Sequence, residues 1–535
     1  MPGIATPYKR FSDDQEYDAI VIGSGIGGLA SAALLARLAG LRVLVLERHY
    51  TAGGYTHTFR RPGYEWDVGV HYIGSVHPKT ILGKVLGLVT DSTLEWADMG
   101  EVYDRVVIGE DVYDFPKGRR ALKEKLQSYF PGERQAIEAY FGLLGEVEEA
   151  SMGYFLDKAL PPTLSRLVGS RLTGDFDRLA ERTTREVLEE LTDNERLIAV
   201  LCGQWGDYGL PPSESSFAMH AMLVTHYIHG ACYPVGGSSR IAESIVPVIE
   251  EAGGRVLIRA EVDEVVVEGG RARGVRMADG AVLRAPVVIS GAGLFNTYEE
   301  LLDDAVARRH GLADQLAKVR PAAAHLCLYI GLEHTADELG LAKPNLWVYP
   351  DEHLEENLQR AGADPQAPFP VVYLSFPGAK DPDFERRFPG RSTIEAITIA
   401  PYEWVEQWEG TDWKDRGDDY EAFKERISKR LLESLYAQQP QLRGKVDYYE
   451  LSTPLTTRHF CAYRRGEIYG LEHSPRRFCQ RFLRPHTPIK GLYLTGQDIA
   501  TCGVAGALFG GVLSAAAVIQ RKPSLMLRAA GYLLG

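Results

Sequence analysis

The sequence predicts an α/β protein. A Rossmann-like dinucleotide-binding domain, assembled from separate pieces of chain, is interleaved with an α+β substrate domain bearing a helical cap. Three observations predict this. A glycine-rich turn joins two apolar strands near the N-terminus. A second glycine pair opens a helix-and-strand segment at 233–293. An apolar strand runs into a glycine-rich helix at 491–519. Each segment returns to the same kind of unit after a long excursion, which is how interleaved α/β domains read.

The first unit begins with "YDAIVI", a buried strand. "GSGIGGLASAALLARLAG" follows as a turn and an Ala/Leu-rich helix, and "LRVLVLE" as a second buried strand. Gly23, Gly25 and Gly28 stand in G-x-G-x-x-G spacing, with Gly27 in the same loop. Gly23 permits the tight turn, Gly25 lets backbone approach a pyrophosphate, and Gly28 lets helix and strand pack closely. The free N–H groups of the helix start suit phosphates. Glu47 ends the second strand, where an acid accepts from ribose hydroxyls. The motif alone leaves FAD and NAD open.

The next stretch, "LERHYTAGGYTHTFRRPGYEWDVGVHYIG", decides between them. Gly53 and Gly54 come soon after the ribose acid, where an NAD domain would continue with another helix and strand. A second glycine pair suits a cofactor that runs on past its pyrophosphate, as a flavin does. A metal site built from His49, His57 and His71 is the competing reading. No pair has H-x-x-x-H spacing and no carboxylate completes a triad, so no metal is expected. For His57, His71 and Tyr72 individually, packing in the pocket wall is the plain alternative to catalysis.

At 233–293, Gly236 and Gly237 precede a helix with Ile241, Ile245, Val248 and Ile249 at helical spacing. Strands with turns follow, predicting one strand for the nucleotide sheet beside a small meander. Near the C-terminus, "GLYLTG" is a buried strand ending at Gly496. Asp498 is placed to bind ribityl hydroxyls, and the helix starting near Gly503 would stabilise negative charge on a reduced flavin. That helix, apolar all round, could also read as a membrane span. The strand immediately before it favours a core helix.

The boundaries expected are 15–95, 231–300 and 446–520 for the FAD-binding domain. Residues 96–230 form the helical cap and substrate region, 301–445 the substrate-domain sheet and helices, and 521–535 a C-terminal tail. The chain of 535 residues carries a net charge of −13 and no Lys/Arg block, which excludes a nucleic-acid partner. Six scattered cysteines without a CxxC pair point to a reducing compartment and buried thiols. The N-terminus lacks the apolar stretch of a secretion signal, so a cytoplasmic location is expected. The tail "RKPSLMLRAAGYLLG" leaves peripheral membrane contact open beside a packed or frayed terminus.

Together the segments resemble the phytoene desaturase/carotenoid isomerase group of FAD enzymes, and within it the retinol-saturase-like members. The resemblance rests on "AGGYTHTFRRPGYEWDVGVHYIG", "WGDYGLPPSESSFAMHAMLVTHYIHGACYPVGGSS", "SGAGLFNTYEELL", "IAPYEWVEQW" and "LTGQDIATCGVAGALFGG", and it covers most of the chain. It implies a GR2-type FAD fold, an apolar polyene or lipid substrate and loose membrane association. It assigns Gly23, Gly25, Gly28, Glu47, Arg48, Gly53, Gly54, Asp498 and Val504 to the FAD site, flanked by Gly27, Gly496 and Gly503. Val262 takes the strand position whose backbone meets the adenine. The chain departs from vertebrate saturases in lacking their endoplasmic-reticulum targeting segment, which loosens the expectation of retinol as substrate.

The chemistry implied is saturation of a C=C bond. A hydride comes from reduced flavin N5 and a proton from an acid in a dry pocket. A conjugated polyene eases this by spreading the developing charge. His71, Tyr72, His226, Tyr227 and His229 are the candidate proton donors, taken as a group. Desaturation or cis–trans isomerisation of a polyene is the alternative on the same scaffold, and a lipid carrier with structural FAD is a third reading. No second G-x-G-x-x-G follows a strand, so no NADPH domain is expected and the electron donor stays open.

Overall fold

A computed structural model describes residues 4–12 and 15–534. Six parallel strands form the nucleotide-binding sheet. In spatial order they are Thr6–Pro7, Arg255–Ile258, Val43–Glu47, Ala19–Ile22, Val288–Ser290 and Leu492–Leu494. The four central strands are fully apolar or nearly so, as a sheet covered on both faces requires. The pieces come from opposite ends of the chain, as the sequence predicts. The meander Val262–Glu268, Arg271–Met277 and Val282–Arg284 packs beside it.

Helix Ile26–Ala39 covers one face, lying between helix Arg240–Glu251 and helix Gly503–Ile519. The last of these is the segment that could read as a membrane span. Its face is buried in the core at Leu508, Leu513, Ala515, Ala517 and Val518. No helix of the described residues is long and apolar enough to cross a membrane. The tail begins as helix Pro523–Leu534, against helix Ile26–Ala39, with Ala529 buried and Leu527 exposed. Gly535 lies outside the described residues.

A seven-stranded mixed sheet forms the substrate domain. Its order is Val446–Ser452, His325–Leu332, Ser392–Ile399, Val372–Ser375, Asn345–Tyr349, Val102–Ile108 and Asp111–Pro116. This corrects two boundaries. The segment 96–230 is not helical throughout. Val102–Ile108 pairs in parallel with Asn345–Tyr349, and helices begin only at Arg119. Likewise Val446–Ser452 belongs to this sheet, paired with His325–Leu332, and not to the nucleotide domain. In both cases β-branched and aromatic residues, in "VYDRVVI" and "VDYYELS", favour a strand. Helices Arg134–Ala159, Pro162–Ala180 and Phe217–Tyr227 cover the cavity side as the cap.

Glycines set how closely these layers approach. A Cβ on Gly28 would lie 2.1 Å from Gly23 O, and one on Gly27 2.6 Å from Gly496 Cα. A Cβ on Gly511 would lie 2.6 Å from Gly27 O and 2.8 Å from Ala30 Cβ. Gly511→Val is therefore expected to force the two helices apart, losing about 1–3 kcal/mol or more. Thermal unfolding, with the flavin content of the purified protein, checks this.

Candidate functional site

The elements converge on a cavity of about 1230 Å³ running from the glycine turn to the large sheet. At one end, helix Ile26–Ala39 starts from Gly25 and presents the unpaired N–H groups of its first turn. Helix Gly503–Ile519 brings a second N-terminus to the same space, capped at Cys502, whose N–H donates to His473 Nε2 at 2.9 Å. A Cβ added at Gly25, Gly496 or Gly503 would meet nothing within 4 Å. These three glycines thus border open space, while Gly27 and Gly28 are packed solid. Gly53 and Gly54, both at positive φ, lie against the first turn, and Gly53 N–H donates to Ser24 Oγ at 3.1 Å. Glu47 is buried. Its Oε2 accepts from Ser24 N at 2.8 Å and Ser24 Oγ at 2.7 Å, and its Oε1 from His49 N at 2.8 Å. A carboxylate has about four acceptor sites, so this one is anchored and keeps capacity for a ribose hydroxyl.

Gly23, Gly25, Gly27, Gly28, Glu47, Arg48, Gly53, Gly54, Val262, Gly496, Gly503 and Val504 all border the cavity. Asp498 is not among the lining residues. Its side chain turns away and brackets two loops, accepting from Leu294 N at 2.6 Å and Leu471 N at 3.2 Å. These two backbone donors anchor the buried carboxylate, which braces the cofactor end of the sheet.

The five catalytic candidates border the other end. His71 Nδ1 is 3.2 Å from Glu395 Oε2, and burial, with the Lys380 charge, lowers its pKa to about 3. His226 Nε2 accepts from Gly74 N at 2.9 Å and fixes that turn, and burial lowers its pKa to about 4. Both rings are therefore neutral near pH 7. His229 is exposed at the mouth. Tyr227 stacks on Tyr72, with centroids 4.3 Å apart and planes 8° apart. The Tyr72 hydroxyl lies 2.8 Å from Asp104 Oδ2 and 2.9 Å from Asp207 Oδ2.

Sequence reasoning missed the buried charges behind this wall. Asp104 also accepts from Gln204 Nε2 at 2.6 Å and Asn345 Nδ2 at 2.8 Å. Lys380 Nζ donates to Asn345 Oδ1, to His71 O at 2.9 Å and to Ser375 Oγ at 2.7 Å. Burial drives the Lys380 pKa down and that of Glu395 up. Burial also raises Asp104 to about 6, against its three donors, and raises Asp207 to about 8, helped by the Asp104 charge. A single acid within an apolar strand, as in "VYDRVVI", and the acid of "WGDYG" were the available signals.

The cradle of backbone N–H groups, glycines and one ribose acid fits a flavin dinucleotide, and the fold and cavity together define a flavin-dependent oxidoreductase. The chain belongs to the flavin containing amine oxidoreductase family, whose model matches residues 26–519. Its cofactor is FAD. Over 95% of its length it is 40% identical to a Danio rerio protein named all-trans-retinol 13,14-reductase, covering 87% of that protein. It is 26% identical to prolycopene isomerase 1, chloroplastic, from an Oncidium hybrid cultivar, over 100% of this chain and 90% of that one. Among solved structures, cyclohexylamine oxidase from Brevibacterium oxydans shares the fold. Its TM-score is 0.59 at 17% identity, over 97% of this chain and 99% of that one.

Asp67, at the foot of the loop carrying His71, accepts from Tyr233 Oη and from Ser238 N at 3.0 Å. Burial, then the Glu395 charge, raises its pKa to about 6. An unfolded aspartate titrates near 4. The folded chain thus holds a proton that the unfolded chain has released, and stability falls as pH rises through that window. Asp67→Asn keeps an acceptor for Ser238 and gains a donor for Tyr233. It is expected to match the parent near pH 4 and to exceed it by about 2 kcal/mol near pH 8. Urea unfolding at the two pH values checks this.

Proposed function

We propose that the protein saturates a C=C bond of a conjugated polyene or a related lipid. The observation that carries this reading is the cavity. It leads from the glycine cradle to a slot lined by Tyr72, Tyr227, Tyr373, Trp347 and Leu223, long and mostly apolar. Bound and reduced, FAD supplies a hydride. The chain's residues do the rest. The stacked tyrosines hold a flat, conjugated chain by its faces, the closed walls exclude water, and a group on the wall gives the second hydrogen as a proton. The names of the reductase relatives support a retinoid-like polyene as the substrate class. The electron donor is a separate molecule.

A second reading, isomerisation or desaturation of a polyene, is favoured by the similarity to prolycopene isomerase. Anaerobic photoreduction of the holoenzyme, followed by all-trans-retinol or a carotenoid, separates the two. Saturation reoxidises the flavin and adds two hydrogens to the product. A new isomer of unchanged mass, or loss of two hydrogens with oxidised flavin, supports the second reading.

We further propose peripheral contact with a lipid bilayer, from which an insoluble substrate enters. Ile81, on the cavity wall, is 53% exposed. Met152 and Leu156 flank the wall residue Phe155, and Leu167 is 78% exposed on the next helix. Exposed apolar side chains grouped beside a cavity mouth suit a membrane surface. Replacing Ile81, Met152 and Leu167 together by Ser is expected to reduce sedimentation with neutral liposomes several-fold while leaving flavin content unchanged.

A further inference from the structure

We propose that Asp207 is an uncharged carboxylic acid at neutral pH and is the proton donor of the cavity, held in place by Tyr72 and Asp104. The donor role rests on the saturase reading. The proton's location does not.

The argument is a count of hydrogens. The Tyr72 hydroxyl has one, yet carboxylate oxygens of both Asp104 and Asp207 lie within hydrogen-bond distance of it. An ionised carboxylate only accepts. If both were ionised, one would face the phenol oxygen at hydrogen-bond distance with no hydrogen between them. The arrangement closes when one carboxyl is protonated and donates to Tyr72, whose own hydrogen goes to the other. The surroundings say which. Asp104, 0% exposed, also receives N–H donors from Gln204 and Asn345, and such donors stabilise the anion. The side-chain hydrogen-bond partner of Asp207 is Tyr72. The groups acting on its carboxyl are burial, Asp104 and the Tyr72 hydroxyl, with no cation among them. The other titratable neighbours, Tyr227, Tyr373, Tyr469 and Cys502, are all pushed towards their neutral forms by burial. The chain is therefore Asp207–COOH to Tyr72–OH to Asp104–COO⁻.

Of the two acids, Asp207 is the one that borders the cavity, whereas Asp104 lies behind the tyrosine. In the transfer, the Asp207 O–H bond breaks and a C–H bond forms at the substrate carbon that carries negative charge after hydride addition. The O–H electron pair stays on Asp207. Tyr72 then turns its hydrogen from Asp104 to the new carboxylate. Rotation of one hydroxyl thus lends its hydrogen to the new carboxylate, while Asp104 stays ionised on the N–H donors of Gln204 and Asn345. Asp207 is the catalytic residue, and Tyr72 and Asp104 are positioning residues.

Infrared pH-difference spectra of the oxidised holoenzyme locate the proton without turnover. The parent is expected to show a protonated-carboxyl C=O band that fades above neutral pH. The component of that band lost in Asp207→Asn should be retained in Glu395→Gln, which removes only the separate contribution of Glu395. Asn at 207 still presents an N–H to Tyr72, so the fold is kept, and flavin content monitors it. A spectrum that Asp207→Asn leaves unchanged, its band vanishing in Glu395→Gln alone, overturns the proposal. In single turnovers of the photoreduced holoenzyme with all-trans-retinol, Asp207→Asn is expected to slow saturation about 100-fold or more. Reoxidation by oxygen should stay unchanged. Saturation within about threefold of the parent overturns the donor role. A parent that saturates no polyene overturns the reading of function instead, and the infrared arm still decides where the proton sits.

Discussion

The site depends on one close approach. Helix Ile26–Ala39 and helix Gly503–Ile519, from opposite ends of the chain, meet at backbone distance through Gly27 and Gly511. Because neither glycine has a side chain, the second helix can lie flat on the first. Its N-terminus then falls beside the turn Gly23–Gly28. Two sets of unpaired N–H groups so share one cavity, and both favour negative charge. The anchoring of Glu47 on Ser24, and of Gly53 on the same serine, stiffens the rim of that cavity.

The substrate end is organised by burial of charge. Asp104, Lys380, Glu395 and Asp67 sit behind the cavity wall, tied to Tyr72, Asn345, Ser375 and Tyr233. Desolvation is severe for such groups, and each survives by having donors or acceptors of its own. The arrangement fixes the aromatic wall in place, since the hydroxyls of Tyr72 and Tyr233 end on these acids. Rigid walls, in turn, are what let a flat apolar chain be held without polar handles.

The cofactor half was largely legible in the sequence because its determinants are local. Gly23, Gly25 and Gly28 announce a turn, Glu47 follows at the strand end, and apolar runs mark the parallel strands. The membership of Val102–Ile108 and Val446–Ser452 in one sheet was not legible, since strand pairing across hundreds of residues leaves no local mark. The setting of Asp498 was hidden for a related reason. An acid after a strand end reads the same whether it faces a ligand or, as here, the N–H groups of Leu294 and Leu471. Asp207 and Lys380 were hidden because a buried charge acquires meaning only from neighbours supplied by other elements.

The interleaving also dictates an order of biogenesis. Strand Leu492–Leu494 and the helix after it complete the nucleotide-binding sheet, and they leave the ribosome long after helix Ile26–Ala39. Until then the face of helix Ile26–Ala39 that carries Gly27 and Ala30 lacks the helix that covers it in the folded chain. The nascent chain therefore carries an incompletely covered apolar helix while the intervening residues are made, the state in which chaperones bind and truncated products aggregate.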